Sequence, residues 1–572
     1  MDNREFSKRK SRVPVIYLFQ LSFLLLLFFV LGRLFGYAVL ALLLFGQILG
    51  IILNNTLPCK ENKPLYYLLE FLGGGFYPLV KTFFDLEKKA KISRSTSQVI
   101  LFFLHTACTL TLFYIWMMGE LIYVYISLVG SLLVSLLFLF SKRDKEEKIT
   151  VTLLIFIMFG YGYLIFLFAL PKLYFLRYKR RYSSLEEKPL TKRNAEHQGD
   201  PVGYLAEHGF KNIGGAHTVY FPTGKRFFDD LFQKLEAAKE YIYIEFLMFE
   251  VGELSDKLFD VLSRKAKEGV RVRIIYDDFA TPAAVVQGAF ARLSELSAKC
   301  IPYNRVFPLP NTFLLYRDHR KSIVIDGIYA YTGGVNVADE YINLNSPFGY
   351  WKDVGVRVSK GGAAVFLSEF CRQWFAISGE RLGEDAESIS SSPADAVAVP
   401  YFDRPGNKFI YEVYYRLIES AKESLTVMTP YLIPGDRILR LIEKKAKEGV
   451  KVDLIIPDRP DKRYAYVLTK LNAERLSGRG VTVYRMCDAF THAKVIMTEG
   501  LVSVGTANFD SLSFYKCAEC GVLTNEGEAM ADVFTDIEYV KRASEICTPE
   551  YFKERPLVRL ASEICRLFSV IM

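Results

Sequence analysis

The sequence predicts two regions of different fold class: an α-helical transmembrane region at the N-terminus, followed by a duplicated α/β domain. Long apolar runs are concentrated in roughly the first third of the 572-residue chain, which is 51% hydrophobic overall. Alternating helix and strand patterns follow, and the segment KAKEGV occurs twice in them, at 265–270 and 445–450. A His-x-Lys pair also occurs twice, beginning at His319 and at His492.

The N-terminal region, 1–180, contains five apolar segments near or above the ~20 residues that cross a bilayer as a helix. They lie at 14–32, 34–54, 99–118, 120–140 and 150–176, and a weaker, glycine-rich sixth lies at 64–80. The number of spans stays open, because the sixth segment also fits a re-entrant or interfacial position. The basic cluster LRYKRRY near residue 180 predicts that the following domain is cytoplasmic, in a multi-pass protein of the cell membrane.

The formal net charge of +9 is concentrated beside these apolar runs. Basic clusters in this position favour anionic lipid headgroups as partners, and we expect no nucleic acid. The residues do not predict an oligomeric state.

Two similar halves are predicted after the membrane region. One helix ends at Gly269 before the strand VRVRIIYDD, and a matching helix ends at Gly449 before KVDLIIPD. The predicted order is a linker, the first half, a second linker, the second half and a C-terminal segment, at 181–210, 211–385, 386–400, 401–545 and 546–572. The C-terminal segment, with Arg559 and Arg566 between apolar residues, fits an interfacial helix and a helix packed on the domain equally well.

The repeated motif carries the chemistry. Its first copy, YRDHRKSIVIDGIYAYTGGVN, contains His319, Lys321, Asp326, Gly334 and Asn336. Its second copy, THAKVIMTEGLVSVGTANFD, contains His492, Lys494, Glu499, Thr506 and Asn508. Residues two apart on a strand point to one face, so each His and Lys aim together. Packing of the halves around a pseudo-twofold axis would bring both pairs into one pocket.

Two imidazoles, two ammonium groups and two amides suit a phosphate and not a cation. One histidine can attack phosphorus to form a phosphoryl-imidazole, while the other serves as general acid and then base. This chemistry needs no metal and no cofactor, and the residues alone do not decide which histidine attacks. The CxxC pair Cys517 and Cys520 lacks the second pair that a zinc site needs, and we expect reduced thiols.

The HxKx4D motif and the trailing GGxN and GTxN resemble the phospholipase D superfamily. Within it, stretches such as RDHRKSIVIDG, FGYWKDVGVRV, MTPYLI and VGTANFD are similar to those of the bacterial membrane-bound cardiolipin synthases. The resemblance covers about residues 200–572. It implies a phospholipase D-like catalytic domain with its active site between two halves. The implied reaction transfers a phosphatidyl group between two phosphatidylglycerols, through a phosphohistidine, with release of glycerol.

The resemblance also implies roles for individual residues. His319 is the expected nucleophile and His492 the expected general acid/base. Glu519, in CAECGVL, matches an acid that orients a motif histidine, and Asp353, in YWKDVGV, is its expected counterpart. The expected catalytic set is His319, Lys321, Asp326, His492, Lys494 and Glu499. The expected substrate-binding set is Asn336, Asn508, Gly334, Thr506, Asp353 and Glu519.

Two departures from the family pattern bear on the substrate: Glu499 replaces the usual Asp, and Leu512 stands where Arg is frequent. The alternative functions are a phospholipase D that uses water or a transphosphatidylase with another acceptor alcohol. A phosphodiester nuclease and a non-catalytic protein that binds anionic lipid are further alternatives.

Overall fold

The computed structural model describes residues 173–185, 200–210, 217–305, 316–359, 361–383, 397–404 and 409–553, together with Arg559 and Arg566. All of them belong to one compact unit. The predicted apolar segments lie outside these ranges, apart from the end of the run at 150–176. Within the described ranges, no helix has both the length and the apolar character that a bilayer crossing requires.

Two helices precede the first sheet: α1 (Leu173–Ser183) and α2 (Pro201–Glu207). The strands of the first half are β1 (Thr218–Phe221), β2 (Tyr241–Phe246), β3 (Arg271–Asp277), β4 (Lys299–Tyr303), β5 (Lys321–Ile325), β6 (Tyr329–Gly333), β7 (Tyr350–Lys352) and β8 (Gly355–Ser359). Its helices are α3 (Gly224–Glu236), α4 (Glu253–Lys267), α5 (Ala283–Val285, continued by a π-helical turn and Ala291–Glu295) and α6 (Gly361–Ser378).

The strands of the second half are β9 (Ala398–Phe402), β10 (Ser424–Met428), β11 (Lys451–Pro457), β12 (Thr482–Met486), β13 (Ala489–Thr491), β14 (Val495–Thr498), β15 (Val502–Gly505), β16 (Cys520–Thr524) and β17 (Ser544–Cys547). Its helices are α7 (Phe409–Ser420), α8 (Asp436–Lys447), α9 (Arg463–Ser477), α10 (Ser511–Tyr515), α11 (Gly527–Arg542) and α12 (Pro549–Phe552).

The two large sheets have the same order over seven strands, and the second has β17 as an eighth strand at one edge. The first runs β4-β3-β2-β5-β6-β8-β1, and the second runs β17-β12-β11-β10-β14-β15-β16-β9. Three strands of each sheet are parallel, and the hairpins β5–β6 and β14–β15 join them in antiparallel fashion. Seven strands thus correspond one to one, which confirms the predicted duplication. Gly269 and Gly449, with φ of 93° and 90°, end matching helices in the left-handed conformation that glycine favours.

The sheets contact each other through β6 and β8 of the first half and β15 and β16 of the second. Strands β2 and β5 are buried along their whole length. Apolar residues of α6 pack on one face of the first sheet, and those of α3 and α4 pack on its other face. Two apolar clusters, each with residues from both halves, hold the halves together.

The structure describes parts of two regions predicted at the ends of the domain. The linker at 181–210 contains helix α2, which Asp200 caps and whose Leu205 is fully buried. In the C-terminal segment, α12 packs on α9 through buried Phe552, and Arg559 donates to Glu474 on α9 at 3.1 Å. These contacts favour packing on the domain for that part of the segment.

Candidate active site

Each motif histidine is held by main-chain bonds to the other half of the domain. The amide of His319 donates to the carbonyl of Ala518 at 2.9 Å, and the amide of His492 donates to the carbonyl of Lys352 at 2.7 Å. In the second case β13 and β7 also pair in parallel, with Thr491 opposite Lys352. Ala518 and Lys352 directly precede the two predicted acids, so the backbone sets the register of each histidine against an acid.

The side chains complete this exchange between the halves. His319 Nδ1 lies 2.8 Å from Glu519 Oε2, and His492 Nδ1 lies 2.6 Å from Asp353 Oδ2. Both acids are completely buried. An Nδ1–H that donates to a carboxylate fixes the tautomer and leaves Nε2 as the free ring nitrogen. Each imidazole is therefore oriented for chemistry at Nε2.

The two motif lysines are almost fully buried and lie beside the histidines. Lys321 Nζ donates to the carbonyl of His319 at 2.7 Å, and Lys494 Nζ donates to the carbonyl of His492. Lys494 Nζ also lies 2.8 Å from His492 Nδ1. Because that nitrogen donates to Asp353, the ammonium acts on the ring as a neighbouring positive charge.

Burial and positive charge together keep both histidines neutral. Burial lowers the pKa of His319 to about 4, with Lys321 and Lys494 adding to the effect and Glu519 opposing it. Burial, followed by Lys494, Lys321 and His319, lowers the pKa of His492 well below its usual value. Since each motif shifts the pKa of the other, the histidines and lysines of both halves form one electrostatic cluster.

Burial also lowers the pKa of Lys321 to about 8 and that of Lys494 to about 7. The two acids differ. Burial raises the pKa of Asp353 to about 6, whereas the pKa of Glu519 is lowered: His319 and Lys321 outweigh its burial. Glu519 and Asp353 oppose the effect of burial on the pKa of both lysines without cancelling it, and an anion in the cluster would favour their charged form further.

Gly334 and Thr506 occupy equivalent positions and contact the two acids. A Cβ on Gly334 would lie 2.0 Å from Asp353 Oδ1, so only glycine fits there. Thr506 Oγ1 donates to Glu519 Oε2 at 2.6 Å. We expected these two residues to bind substrate. In the structure they instead contact the acids that bond to the histidines.

Asn336 and Asn508 each keep a buried side-chain oxygen without a hydrogen-bond partner. Asn336 Nδ2 donates to the hydroxyl of Tyr341 at 2.6 Å. Because an amide oxygen accepts hydrogen bonds, each of these atoms fits a donor of the substrate, such as a hydroxyl, whereas a phosphate oxygen would be bound by the amide nitrogen.

Asp326 and Glu499 are not brought into the cluster. Asp326 accepts three backbone N–H bonds, each at 2.8 Å, from residues 239–241 at the start of β2. Glu499 accepts the equivalent bonds, at 2.9, 3.4 and 3.2 Å, from residues 422–424 at the start of β10. Both acids lie at the far end of a motif strand, about 15 Å from the lysine for a five-residue strand. Their assignment as catalytic is wrong in this structure, since they hold the backbone.

Three aromatic rings around His492 were not predicted. Tyr341, Trp351 and Phe490 have ring centroids 5.5, 5.4 and 5.6 Å from the imidazole. Trp351 lies in the segment WKD and Phe490 in the segment AFTH, but only the pairing of β7 with β13 shows that the two rings lie side by side. They exclude water from one side of the ring.

The cysteines of the CxxC segment are both buried, and burial raises the pKa of Cys520 to about 12. In the described part of the chain, no group of His, Cys, Asp or Glu side chains is arranged to hold a metal ion.

Comparison with known proteins agrees with this geometry. Residues 231–349 and 414–540 match the family described as cardiolipin synthase, PLD-like domain. These two matches cover corresponding parts of the two halves.

Two curated relatives are similar over most of their length. A cardiolipin synthase of Geobacillus kaustophilus is 30% identical over 375 residues, which are 62% of this chain and 72% of the relative. A cardiolipin synthase of Geobacillus sp. WCH70 is 28% identical over 513 residues, 84% of this chain and the whole of the relative.

Among solved structures, a phosphatidylserine synthase from Haemophilus influenzae superposes with a TM-score of 0.52 at 16% identity. The match covers 64% of this chain and 97% of that one, and it shows a shared fold.

Proposed function

Because the chain belongs to the phospholipase D-type cardiolipin synthases, we propose that it joins two phosphatidylglycerols into cardiolipin and releases glycerol. The observation that supports this most strongly is the exchange of acids between the halves. Each of two neutral imidazoles is bonded at Nδ1 by the other half's carboxylate, beside two buried lysines.

In the first step, Nε2 of His319 attacks the phosphorus of the donor. The new P–N bond forms as the P–O bond to glycerol breaks, and His492 gives a proton to the departing oxygen. His492 must hold a proton at this point. The negative charge of the bound phosphodiester favours this, because it opposes the positive field of the lysines.

In the second step, His492 is neutral and removes a proton from a hydroxyl of the acceptor phosphatidylglycerol. That oxygen attacks phosphorus, the P–N bond breaks, and His319 returns to its starting state. Exclusion of water by Tyr341, Trp351 and Phe490 favours a lipid hydroxyl over hydrolysis.

The difference between the acids supports His319 as the nucleophile. Glu519 has a lowered pKa, and an ionised carboxylate at Nδ1 stabilises the positive charge that develops on an attacking imidazole. Burial raises the pKa of Asp353, which suits the partner of a histidine whose proton is gained and lost in each cycle.

Lys321, Lys494, Asn336 and Asn508 hold the phosphate in this proposal. The lysines supply charge to the non-bridging oxygens and the amides supply hydrogen bonds. In this proposal the apolar runs of the N-terminal region anchor the enzyme in the cell membrane, and the basic cluster before the domain favours catalysis at the cytoplasmic face.

The test is product analysis with the purified full-length chain in vesicles of phosphatidylglycerol. Cardiolipin and free glycerol in equal amounts are expected, with at least about a 10³-fold loss in His319→Ala and in His492→Ala. His208→Ala, at the end of α2, is the matched control and should keep the rate. Phosphatidic acid as the only product would show a phospholipase D, and DNA cleavage without lipid turnover a nuclease.

A further inference from the structure

Helix α1, which begins at the end of the last apolar run, packs on α6 through two buried tyrosines. Tyr178 and Tyr182 are 2% and 0% exposed, whereas the basic residues Arg177, Lys179 and Arg180 are exposed. The Tyr178 hydroxyl donates to Gln373 Oε1 at 2.7 Å, and the Tyr182 hydroxyl donates to Glu369 Oε1.

Both of these α6 side chains continue to the first motif. Gln373 Nε2 donates to Asp318 Oδ2 at 3.5 Å, and Glu369 Oε1 lies 3.4 Å from Arg320 Nη1. Asp318 and Arg320 are the residues on either side of His319. We call the paths Tyr178–Gln373–Asp318 and Tyr182–Glu369–Arg320 the two tyrosine bridges.

Arg320 is an unusual residue in this position. It stands between His319 and Lys321 in the sequence and is completely buried. Its Nη1 lies 3.6 Å from Glu245 Oε1, and its Nη2 donates to the carbonyl of Asp403 at 2.6 Å. A buried guanidinium carries a desolvation cost that a neutral side chain avoids, and such groups are retained where they fix one geometry.

The second half shows that the fold itself does not need this charge. The repeat places Ala493 at the position of Arg320, and the strand register places Met428 at the position of Glu245. The first motif therefore carries a specific attachment at a point where its copy has apolar residues.

We propose that the two tyrosine bridges make helix α1 a positioning element for His319, so that catalysis depends on how this helix is seated on α6. The tyrosines act through Asp318 and Arg320 and do not touch the reacting atoms. The inference rests on the function proposed above and assigns to the segment next to the membrane a part in catalysis beyond anchoring.

The experiment compares Tyr178→Phe, Tyr182→Phe and the double variant with Tyr331→Phe in the full-length chain. Tyr331 is a close match, since it is fully buried and its hydroxyl donates at 2.6 Å to Asp230, a carboxylate that also binds an arginine. Each of the four variants loses only hydrogen bonds donated by a tyrosine hydroxyl and keeps the aromatic ring.

We expect kcat to fall about five- to tenfold in the double variant with KM for phosphatidylglycerol within about twofold, since orientation and not binding is lost. Each single variant should show a smaller loss, and Tyr331→Phe should keep the wild-type kcat. Double-variant kcat equal to that of Tyr331→Phe would overturn the inference.

A second readout does not depend on turnover. Diethyl pyrocarbonate modifies neutral imidazoles, and peptide mass spectrometry reports the rate at His319 and, as an internal reference, at His208. We expect a rate at His319 about threefold higher or more in the double variant, with no change at His208. An unchanged modification rate at His319 would overturn the inference. Because this readout needs no turnover, it still decides the inference if the wild type is inactive on phosphatidylglycerol and the proposed function is excluded.

Discussion

His319 donates from Nδ1 to a carboxylate 200 positions later in the chain, that of Glu519, at 2.8 Å. The bond crosses from the first half to the second, and the bond from His492 to Asp353 crosses in the opposite direction. The active geometry therefore depends on the contact between the sheets as much as on either motif.

Glu519→Gln should reduce kcat by about 10²- to 10⁴-fold, because an amide at Nδ1 neither fixes the tautomer nor stabilises positive charge on the ring. Steady-state rates of cardiolipin formation measure this. Glu526→Gln is the matched control, since Glu526 accepts only a backbone bond from Thr218 in the same region. Equal rates for both variants would rule out the role given to Glu519.

Gly334→Ala should displace Asp353 from His492, because the added Cβ would lie 2.0 Å from the carboxylate. We expect about a 10²-fold lower rate and a loss of about 1–3 kcal/mol in unfolding free energy. Gly500→Ala, where a Cβ meets nothing within 4 Å, is the control and should be neutral in both measurements. A fully active Gly334→Ala would show that Asp353 is not held where we place it.

Binding of the headgroup should weaken as the pH rises from about 7 to 9. Burial lowers the pKa of Lys494 to about 7 and that of Lys321 to about 8, so above these values each ammonium becomes a neutral amine. The inhibition constant of glycerophosphoglycerol, measured at constant ionic strength, should rise over this range. In Lys494→Arg the charge persists, and the first part of the rise should disappear. An inhibition constant that does not vary with pH would contradict the proposal that the two lysines bind the phosphate.

Asp326→Asn should destabilise the domain by about 1–3 kcal/mol without a matching loss of rate per folded molecule. The change leaves one oxygen where the carboxylate accepts three backbone bonds, and Asn tolerates the φ of 51° at this position. Glu499→Gln should cost less, since its three bonds are longer. Thermal unfolding of the detergent-solubilised chain measures both, with exposed Asp229→Asn as the neutral control. A large fall in rate with unchanged stability would return Asp326 to the catalytic set.

The duplication and the two His-Lys pairs could be predicted because each depends on local spacing that repeats along the chain. The two acids were expected only through the resemblance to the family. The bonding of each acid to the histidine of the other half could not be predicted. It follows from how the two sheets pack, and the spacing of residues in the sequence does not indicate that packing. The position of Asp326 in the motif led to its catalytic assignment, although its carboxylate is at the opposite end of the strand from Lys321. The sequence shows Arg320 in HRK where the second motif has HAK. Its partners come from β2, α6 and the residue after β9, which lie far apart in sequence.

The crossing of acids between the halves also bears on how such a chain arose. A protein made of one half would hold its histidine without the carboxylate it needs, and only association of two copies would complete either site. Fusion into one polypeptide makes that association independent of protein concentration. It also frees the copies to diverge, and the aspartate on one side and the glutamate on the other are the record of that divergence.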